Sequence, residues 1–521
     1  MADPTKSETA KADTAKGGDR ITALLADADV AGPQRPWPRY RVDATVFEAI
    51  AKLLGEGERD LLGLWAETGA VHLALRRVGE DPCVVSTPVI DGRFPSVGIR
   101  HAPAIRPERA IRDLFGYEPV DAPDLRPWLD HGAWTASAPL GAAGPAVPRD
   151  PADYPVLPVT GEGLHQIPVG PVHAGIIEPG HFRFTANGET VVRLEERLGY
   201  VHKGIDGLLI DAPLDRAAKV VARVSGDSTV ASSFAFARAV EAALGVAPPP
   251  RAVVVRGVMA ELERLANHFG DIGAICNDAA FAIVLAHCGI FREKILAASA
   301  AVFAHRLMMD MIVPGGVTTN ITAEGAKLIV ETLDAITPAF EEIVRLYEDT
   351  PSIQDRTCGT GHLSADLARR FAAGGPVGRA SARDFDARRD LAYAPYAGRV
   401  FEVPVLTAGD VDARIQVRTR EVAASMKLIR ELLRALPAGP VFAALPDATE
   451  ACEGIAVTEA FRGDLLVWLR LLPGRIVARG HVRDASWFQW PLLEAAIENN
   501  IVADFPLCNK SFNCSYSGAD L

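Results

Sequence analysis

The chain has 521 residues, 49% hydrophobic and 23% charged, with a formal net charge of -12. That is an ordinary globular balance able to bury a large core, and the length gives a prior of roughly two to four domains. The acidic charge argues against nucleic acid as the main partner, because phosphate binding needs a basic face.

The stretch from Met1 to about Arg20 is polar, with no apolar block, and reads as neither a signal peptide nor a membrane helix. Residues 1–39 are expected as a disordered tail. A small α+β domain is expected over 40–135, with Val46–Leu54 as a helix and Val71–Arg76 and Cys83–Val89 as strands. Arg106–Phe115 reads as a short helix ended by Gly116. Pro139, Pro145, Pro148, Pro151, Pro155 and Pro158 disfavour both helix and central strand, so 136–160 is expected to be a Pro/Gly-rich linker.

A larger domain is expected over 161–521. His181–Thr185 and Thr190–Leu194 flank Asn187-Gly188, which predicts a hairpin with a type I′ turn. Apolar residues recur at helical spacing over Leu214–Leu244, Val258–Ile275, Asp278–Met311 and Ala323–Glu348, punctuated by Pro248-Pro249-Pro250 and Pro314-Gly315-Gly316. Phe401–Val405 and Ile455–Ala460 read as strands and Val417–Leu436 as another helix. The longest apolar stretch, Ala279–Phe291, is too short to cross a bilayer. The fold class is α+β: a small N-terminal α+β domain, then a large, mainly helical-bundle domain with β-hairpins and a small sheet.

Cys83, Cys276, Cys288, Cys358, Cys452, Cys508 and Cys514 are scattered, which fits a reduced compartment better than a disulfide framework. No Cys-x-x-Cys occurs, so no iron–sulfur or zinc site can be read from spacing.

The larger domain carries Gly170-Pro171-Val172-His173, Glu178-Pro-Gly-His181-Phe-Arg183 and Gly199-Tyr-Val-His202-Lys203-Gly204. Glu261-Leu-Glu-Arg264-Leu-Ala-Asn267-His268, Pro314-Gly315-Gly316, Asp410-Val411 and Glu459-Ala-Phe-Arg462-Gly463-Asp464 follow. In this order and spacing they resemble the large subunit of membrane-bound nickel–iron hydrogenases of the formate hydrogenlyase and hydrogenase-4 type. More distantly they resemble the 49-kDa subunit of respiratory complex I. In the first domain, Phe94-Pro95-Ser96, Glu108-Arg109-x-x-Arg112-Asp113-Leu114-Phe115-Gly116 and Pro123-Asp124-Leu125-Arg126 are similar to the complex I 30-kDa subunit. Formate hydrogenlyase-type proteins fuse the two units in this order, and the resemblance covers about Asp43 to Leu521.

The resemblance implies a nickel–iron centre held by two Cys-x-x-Cys pairs, or in complex I a quinone headgroup, beside a small iron–sulfur subunit. Here Ser225 and Ser228 stand in the early pair. Aligning on Tyr516 places Ser515 and Gly518 in the late pair, with Cys514 one residue early. Hydroxyls stay protonated and are poor ligands for soft metal centres that thiolates suit. The chain also ends at Leu521, where hydrogenase precursors usually continue into a tail cleaved after nickel insertion. The expectation is therefore no nickel–iron centre, no metal and no cofactor bound by this chain, and no hydrogen activation. The implied partners are a small four-iron-cluster subunit, a ferredoxin-like subunit and antiporter-like membrane subunits. Membrane contact would come through those partners only, on the cytoplasmic side of the inner (plasma) membrane.

The role implied is a coupling component of a complex I-like oxidoreductase, linking electron transfer to proton or ion movement. Two alternatives stay open: a subunit that reduces quinone or another small acceptor in the vacated cavity, and a non-catalytic assembly scaffold. In complex I a hairpin His, matched by His181, and a Tyr on the first long helix bind the quinone headgroup. Gly226 stands where that Tyr would be. Glu178 and His181 either relay protons or anchor the hairpin, and Arg462 either binds an anion or forms a salt bridge. Ser225 and Ser228, three apart, are expected on one helix face, lining a cavity or capping backbone. Cys508 and Cys514 are expected to be buried and inert. His202, Lys203 and Arg356 are candidates for the small-subunit interface or for ordinary surface pairing. Asp271, Asp278 and Glu293 read as surface or cap charges.

Overall fold

The computed structural model describes residues 19–521, except 33, 151, 152, 174 and 176. Much of the expected N-terminal tail is built into the fold. Residues 1–18 lie outside the described residues, but Asp19 caps α1 (Arg20–Leu25), and Ile21 is fully buried. Three short strands follow: β1 (Asp29–Val30), β2 (Gln34–Arg35) and β3 (Arg39–Arg41). Composition cannot reveal such segments, because their order comes from pairing with distant strands.

In the first unit α2 (Ala44–Gly55) is capped by the Asp43 side chain and buries Phe47, Ile50, Ala51 and Leu54, the repeat of a one-sided helix. The strands β4 (Asp60–Glu67), β5 (Ala70–Arg76) and β6 (Cys83–Pro88) join β1 and β3 in the order β1-β3-β6-β5-β4. Within this sheet only β3 and β6 pair in parallel. α3 (Ile105–Phe115) ends on Gly116 at φ 71°, the left-handed stop glycine permits. β4 escapes the sequence reading because seven of its eight residues are buried, so alternation is lost and periodicity is mute. The stretch 136–160 carries only the two-residue strands Ala136–Ser137 and Gly144–Pro145 among its described residues.

β7 (Leu164–Val169), β8 (His181–Asn187) and β9 (Thr190–Arg197) form an antiparallel sheet. Asn187 pairs with Thr190, so the central turn residues are Gly188 and Glu189, and only Gly188 has positive φ. That is the type II′ pattern rather than the expected I′. The expected helix over Leu214–Leu244 is broken into α4 (Leu214–Val221) and α5 (Thr229–Leu244) by an irregular turn.

α6 (Pro250–Asp278), α7 (Ala282–Phe303), α8 (Ala323–Glu348) and α9 (Val411–Arg434) complete the bundle. α6 packs against α5, α7 and α9 and is buried around most of its circumference. Phe401–Val405, expected as a strand, is irregular. No described helix is long and apolar enough to cross a membrane.

The chain then forms β10 (Cys452–Ala460), β11 (Gly463–Leu472) and β12 (Ile476–Arg483), followed by α10 (Ser486–Ala496) and α11 (Phe505–Phe512). This second sheet borrows β2, which runs parallel to β10. The two large sheets meet through aromatics: Trp65 of β4 stacks on His481 at 5.5 Å and tilts against Trp468 at 5.6 Å between ring centroids. Arg479 and Arg483 donate to the carbonyls of Ala66 and Leu62, so the N-terminal unit is clamped to the C-terminal sheet. The architecture is α+β, as expected.

Candidate functional site

The break between α4 and α5 makes the site. Ser225 is extended (φ -145°, ψ 125°), Gly226–Ser228 forms a single tight turn, and Ser228 sits at the cap of α5. The two serines therefore do not share a helix face. Ser225 Oγ donates to Asp227 Oδ1 at 2.7 Å and lies 3.0 Å from Ser515 Oγ. A hydroxyl has one proton. That of Ser225 is committed to the carboxylate, so Ser515 is the donor across the gap.

Ser515 caps the last short helix, Tyr516–Asp520, accepting from Gly518 N at 2.9 Å. Its own N–H donates to Ser486 Oγ at 2.8 Å, and Trp490 donates to its carbonyl at 3.2 Å. A Cβ on Gly518 would stand 2.8 Å from Asp484 Cγ and 3.0 Å from Ser515 Cβ, and Asp484 is buried. The fold thus brings Ser225, Ser515 and Gly518 together, while Ser228 Oγ is buried without a hydrogen-bond partner among the described residues.

This donor set does not fit a nickel–iron centre: two hydroxyls bond each other, one position has no side chain, and no thiolate is offered. Among the described residues no group of three or more His, Cys, Asp or Glu is arranged to hold an ion. Cys508 packs beside Gly361 and Arg414, and burial pushes its thiol up to about 12. Cys514 lies 3.9 Å from Gln489 Oε1, and burial raises its thiol well above the usual range. Neither sulfur offers a thiolate near neutral pH.

Arg462 forms a salt bridge. It grips Asp227 through two parallel bonds of 2.7 and 2.6 Å and also donates to Asn513 O. Burial pulls the Asp227 carboxyl up, but Arg462 outweighs it and holds the group below the usual carboxylate range. Asn513 in turn donates to Asp271 at 2.7 Å, and Asp271 is paired with Arg418 at 3.0 Å. Asp271 is therefore a buried structural carboxylate rather than a surface charge. Asp278 is half-buried, and Glu293 is exposed and paired with Arg306.

Glu178 is exposed and accepts from Ser517 N at 3.1 Å, while His181 is half-buried and bonded to Gly170 O at 3.0 Å. Each thus holds a separate piece of backbone. His202 Nδ1 donates to Asp520 O at 2.7 Å and its ring stacks on Trp134 at 5.2 Å. Lys203 Nζ donates to the carbonyls of Arg223 and Val224 at 2.8 and 2.7 Å, fixing the backbone just before Ser225. Arg356 pairs at the surface with Asp504 at 2.9 Å. Asp520 accepts from Gly199 and Val201, yet burial pushes its carboxyl up to about 7.

Sequence reasoning missed the carboxylates around the site, Asp227, Glu263 and Asp520. Glu263 on α6 accepts from Val230 N at 2.6 Å and Ala231 N at 3.0 Å, and burial pushes it up to about 8. Asn267, one turn along, donates to the carbonyls of both Asp227 and Glu263. Behind them Arg264, His268, Glu421, Arg379 and Glu459 form a buried ionic network. The signal for Glu263 was its four-residue spacing from Asn267, which shares one helix face. Beside the site, a cavity of about 320 Å³ lies between α6, α7 and α11, lined by Asn277, Leu285, Lys510, Asn513, Cys514 and Tyr516.

With this geometry in hand, comparison with known proteins is decisive on family. The chain is 30% identical over 480 residues to hydrogenase-4 component G of Escherichia coli (strain K12), covering 90% of this chain and 83% of that protein. The chain belongs to the hydrogenase-4 and formate hydrogenlyase large-subunit family. Formate hydrogenlyase subunit 5 of the same organism is 29% identical, covering 90% of this chain and 84% of that protein. The carbon monoxide-induced hydrogenase of Rhodospirillum rubrum is 32% identical over 67% of this chain and 97% of that protein.

Residues 279–454 match the family described as respiratory-chain NADH dehydrogenase, 49 Kd subunit. The fold recurs, with a TM-score of 0.65 and 22% identity, in a chain of the membrane-bound sulfane sulfur reductase, an archaeal respiratory membrane complex. That match covers 69% of this chain and 99% of the other. The resemblance read from the motifs is borne out: the protein is a complex I-like oxidoreductase-family subunit.

Proposed function

We propose that this chain is the hydrogenase-large-subunit-like component of a membrane-associated complex I-like oxidoreductase and has no nickel–iron centre of its own. It couples electron transfer from a small four-iron-cluster subunit to proton or ion movement. A ferredoxin-like subunit and antiporter-like membrane subunits complete the complex, on the cytoplasmic side of the membrane.

The supporting observation is the 3.0 Å contact between Ser225 and Ser515. Two hydroxyls bond each other where the early and late motif segments of this chain meet, and the Arg462–Asp227 pair neutralises the charge beside them. Such a site offers neither a soft ligand nor an open coordination position. The same closure favours the non-catalytic scaffold as the second reading. Quinone has less support, because Gly226 stands where a headgroup-binding Tyr would be and His181 is occupied by Gly170 O.

The test uses the purified complex. Nickel, measured by inductively coupled plasma mass spectrometry, is expected at trace level, with no hydrogen-dependent dye reduction, while the iron of the partner cluster is present and donor-driven proton movement is detected in vesicles. Stoichiometric nickel whose removal abolishes activity overturns the proposal. Electron transfer without ion movement overturns the coupling role and leaves the scaffold and small-acceptor readings.

A further inference from the structure

We propose that Glu263 is a proton-holding carboxyl of the coupling route, taking up and releasing one proton at the Ser225–Asp227 turn. The inference rests on the coupling reading and names the group that would hold the proton.

The first-turn amides of a helix need acceptors from outside the helix. At α5 the residue in the cap position, Ser228, could supply one locally. It does not: its side chain makes no capping bond and is buried without a partner. Glu263 is delivered instead from α6, and its two oxygens take the amides of Val230 and Ala231. Capping alone does not require a carboxyl from another helix.

The surroundings distinguish Glu263 from the other two buried carboxyls of α6. Glu261 is paired with Arg388 at 3.0 Å, and Asp271 with Arg418 at 3.0 Å. Glu263 is 7% exposed and has no ion pair among the described residues. The charges that face it are Asp227 from the turn, which disfavours ionisation, and Arg264 from its own helix, which favours it. Burial outweighs the two amides and Arg264, leaving the carboxyl near 8.

Ser232 Oγ, on the same first turns of α5 as Ser228, is likewise buried without a partner, so two hydroxyls stand near the carboxyl's two amide donors. Asn267 bonds the backbone of both Asp227 and Glu263. A shift of the turn, or of Arg462 on Asp227, therefore changes the field at Glu263. The step is an acid–base one: an O–H bond forms at Glu263 with a proton from solvent and breaks to return it, and no electron moves in this chain. Glu178, the proton candidate of the motif, is exposed and accepts from Ser517 N.

The experiment is infrared difference spectroscopy of the whole purified complex between pH 6 and 9. A protonated-carboxyl band that disappears with a midpoint near 8 is expected, and it is absent in Glu263→Gln. In Asp227→Asn the band persists and its midpoint falls, since a neighbouring negative charge is gone. A cap that stays ionised across this range gives no such band, and a titrating cap without a coupling role is separated by the vesicle measurement. The inference is overturned if a correctly assembled Glu263→Gln complex, checked by its melting curve, keeps the full band, or if the Asp227→Asn midpoint does not move. In vesicles, Glu263→Gln is expected to lower the ratio of protons moved to electrons passed, and an unchanged ratio refutes the coupling role. Should the wild-type complex move no protons while the band titrates, the proposed function fails and the proton site stands.

Discussion

Replacing Arg379 with Met tests how the buried network braces α6, the helix that carries Glu263 and Asn267. Arg379 is fully buried. It bonds Glu421 at 2.8 and 2.6 Å, Glu459 at 2.9 Å and the Phe385 carbonyl at 2.9 Å, with Asp386 at 3.5 Å. Met has similar volume, so the cavity term is small. Glu421 would keep His268 at 2.7 Å, and Asp386 would keep Arg388 at 2.7 Å. Glu459 would keep only the amide of Ala387 at 2.9 Å. The loss is therefore one unpaired buried carboxylate, about 3–5 kcal/mol, rather than three. Spread over the unfolding entropy of a chain this long, that is a melting shift of about 3–5 °C.

The pH dependence has a definite sign. Burial already pushes Glu459 up to about 7, with Asp386 adding to it and Arg379 opposing. A carboxyl raised above its unfolded value stabilises the fold below that unfolded value, and the benefit is lost as pH rises through the folded one. Without Arg379 the folded value climbs further. The deficit of Arg379→Met should thus be largest at pH 8.5 and shrink toward pH 5.5. Melting curves at both pH values, with Arg379→Met/Glu459→Gln alongside, measure this, and the double variant should recover most of the loss at pH 8.5. A deficit independent of pH, or a double variant as unstable as the sum of the single ones, would refute the reasoning.

Three further outcomes follow from the structure. Installing cysteines at Ser225, Ser228, Ser515 and Gly518 together should not create a nickel site, because the Cβ at position 518 meets Asp484 at 2.8 Å; mass spectrometry of the variant grown with nickel should find none bound, and its melting point should fall. Asp520, pushed up to about 7 by burial, gives a stabilisation complete below its unfolded value and lost as pH rises through 7. Asp520→Asn should accordingly flatten the fall in melting temperature between pH 6 and 8. Trp468→Ala, at a fully buried position against Trp65 and His72, should cost about 3–5 kcal/mol. Limited proteolysis within residues 136–160 should then accelerate as the N-terminal unit loosens.

Elements with a one-sided apolar repeat, such as α2 and α8, were legible from the chain alone, as was the β8–β9 hairpin. Ala323–Glu348 is recovered with both its ends. Elements buried on every side were not. β4 presents apolar residues to two neighbours and so reads as neither alternating nor helical. α4 and α5 read as one helix because apolar spacing continues through the break, while Ser225, Gly226 and Asp227 leave the helix to reach Ser515 and Arg462. Of the site, the residue types were legible at Ser225, Ser228, Ser515 and Gly518. The partners of Glu178 and Arg462 were not, since each bonds a group hundreds of residues away in the chain.

The order of its motifs settled the protein's family, and the side chains offered at four positions, three hydroxyls and one glycine, are read from the chain directly, because both are properties of residue type and spacing. Whether those positions meet, what neutralises Arg462, and which carboxyl is left without a counter-charge were decided only by tertiary packing. Burial and charge pairing depend on segments hundreds of residues apart, such as Ser225 and Ser515 or Asp227 and Arg462, being driven into one low-dielectric space.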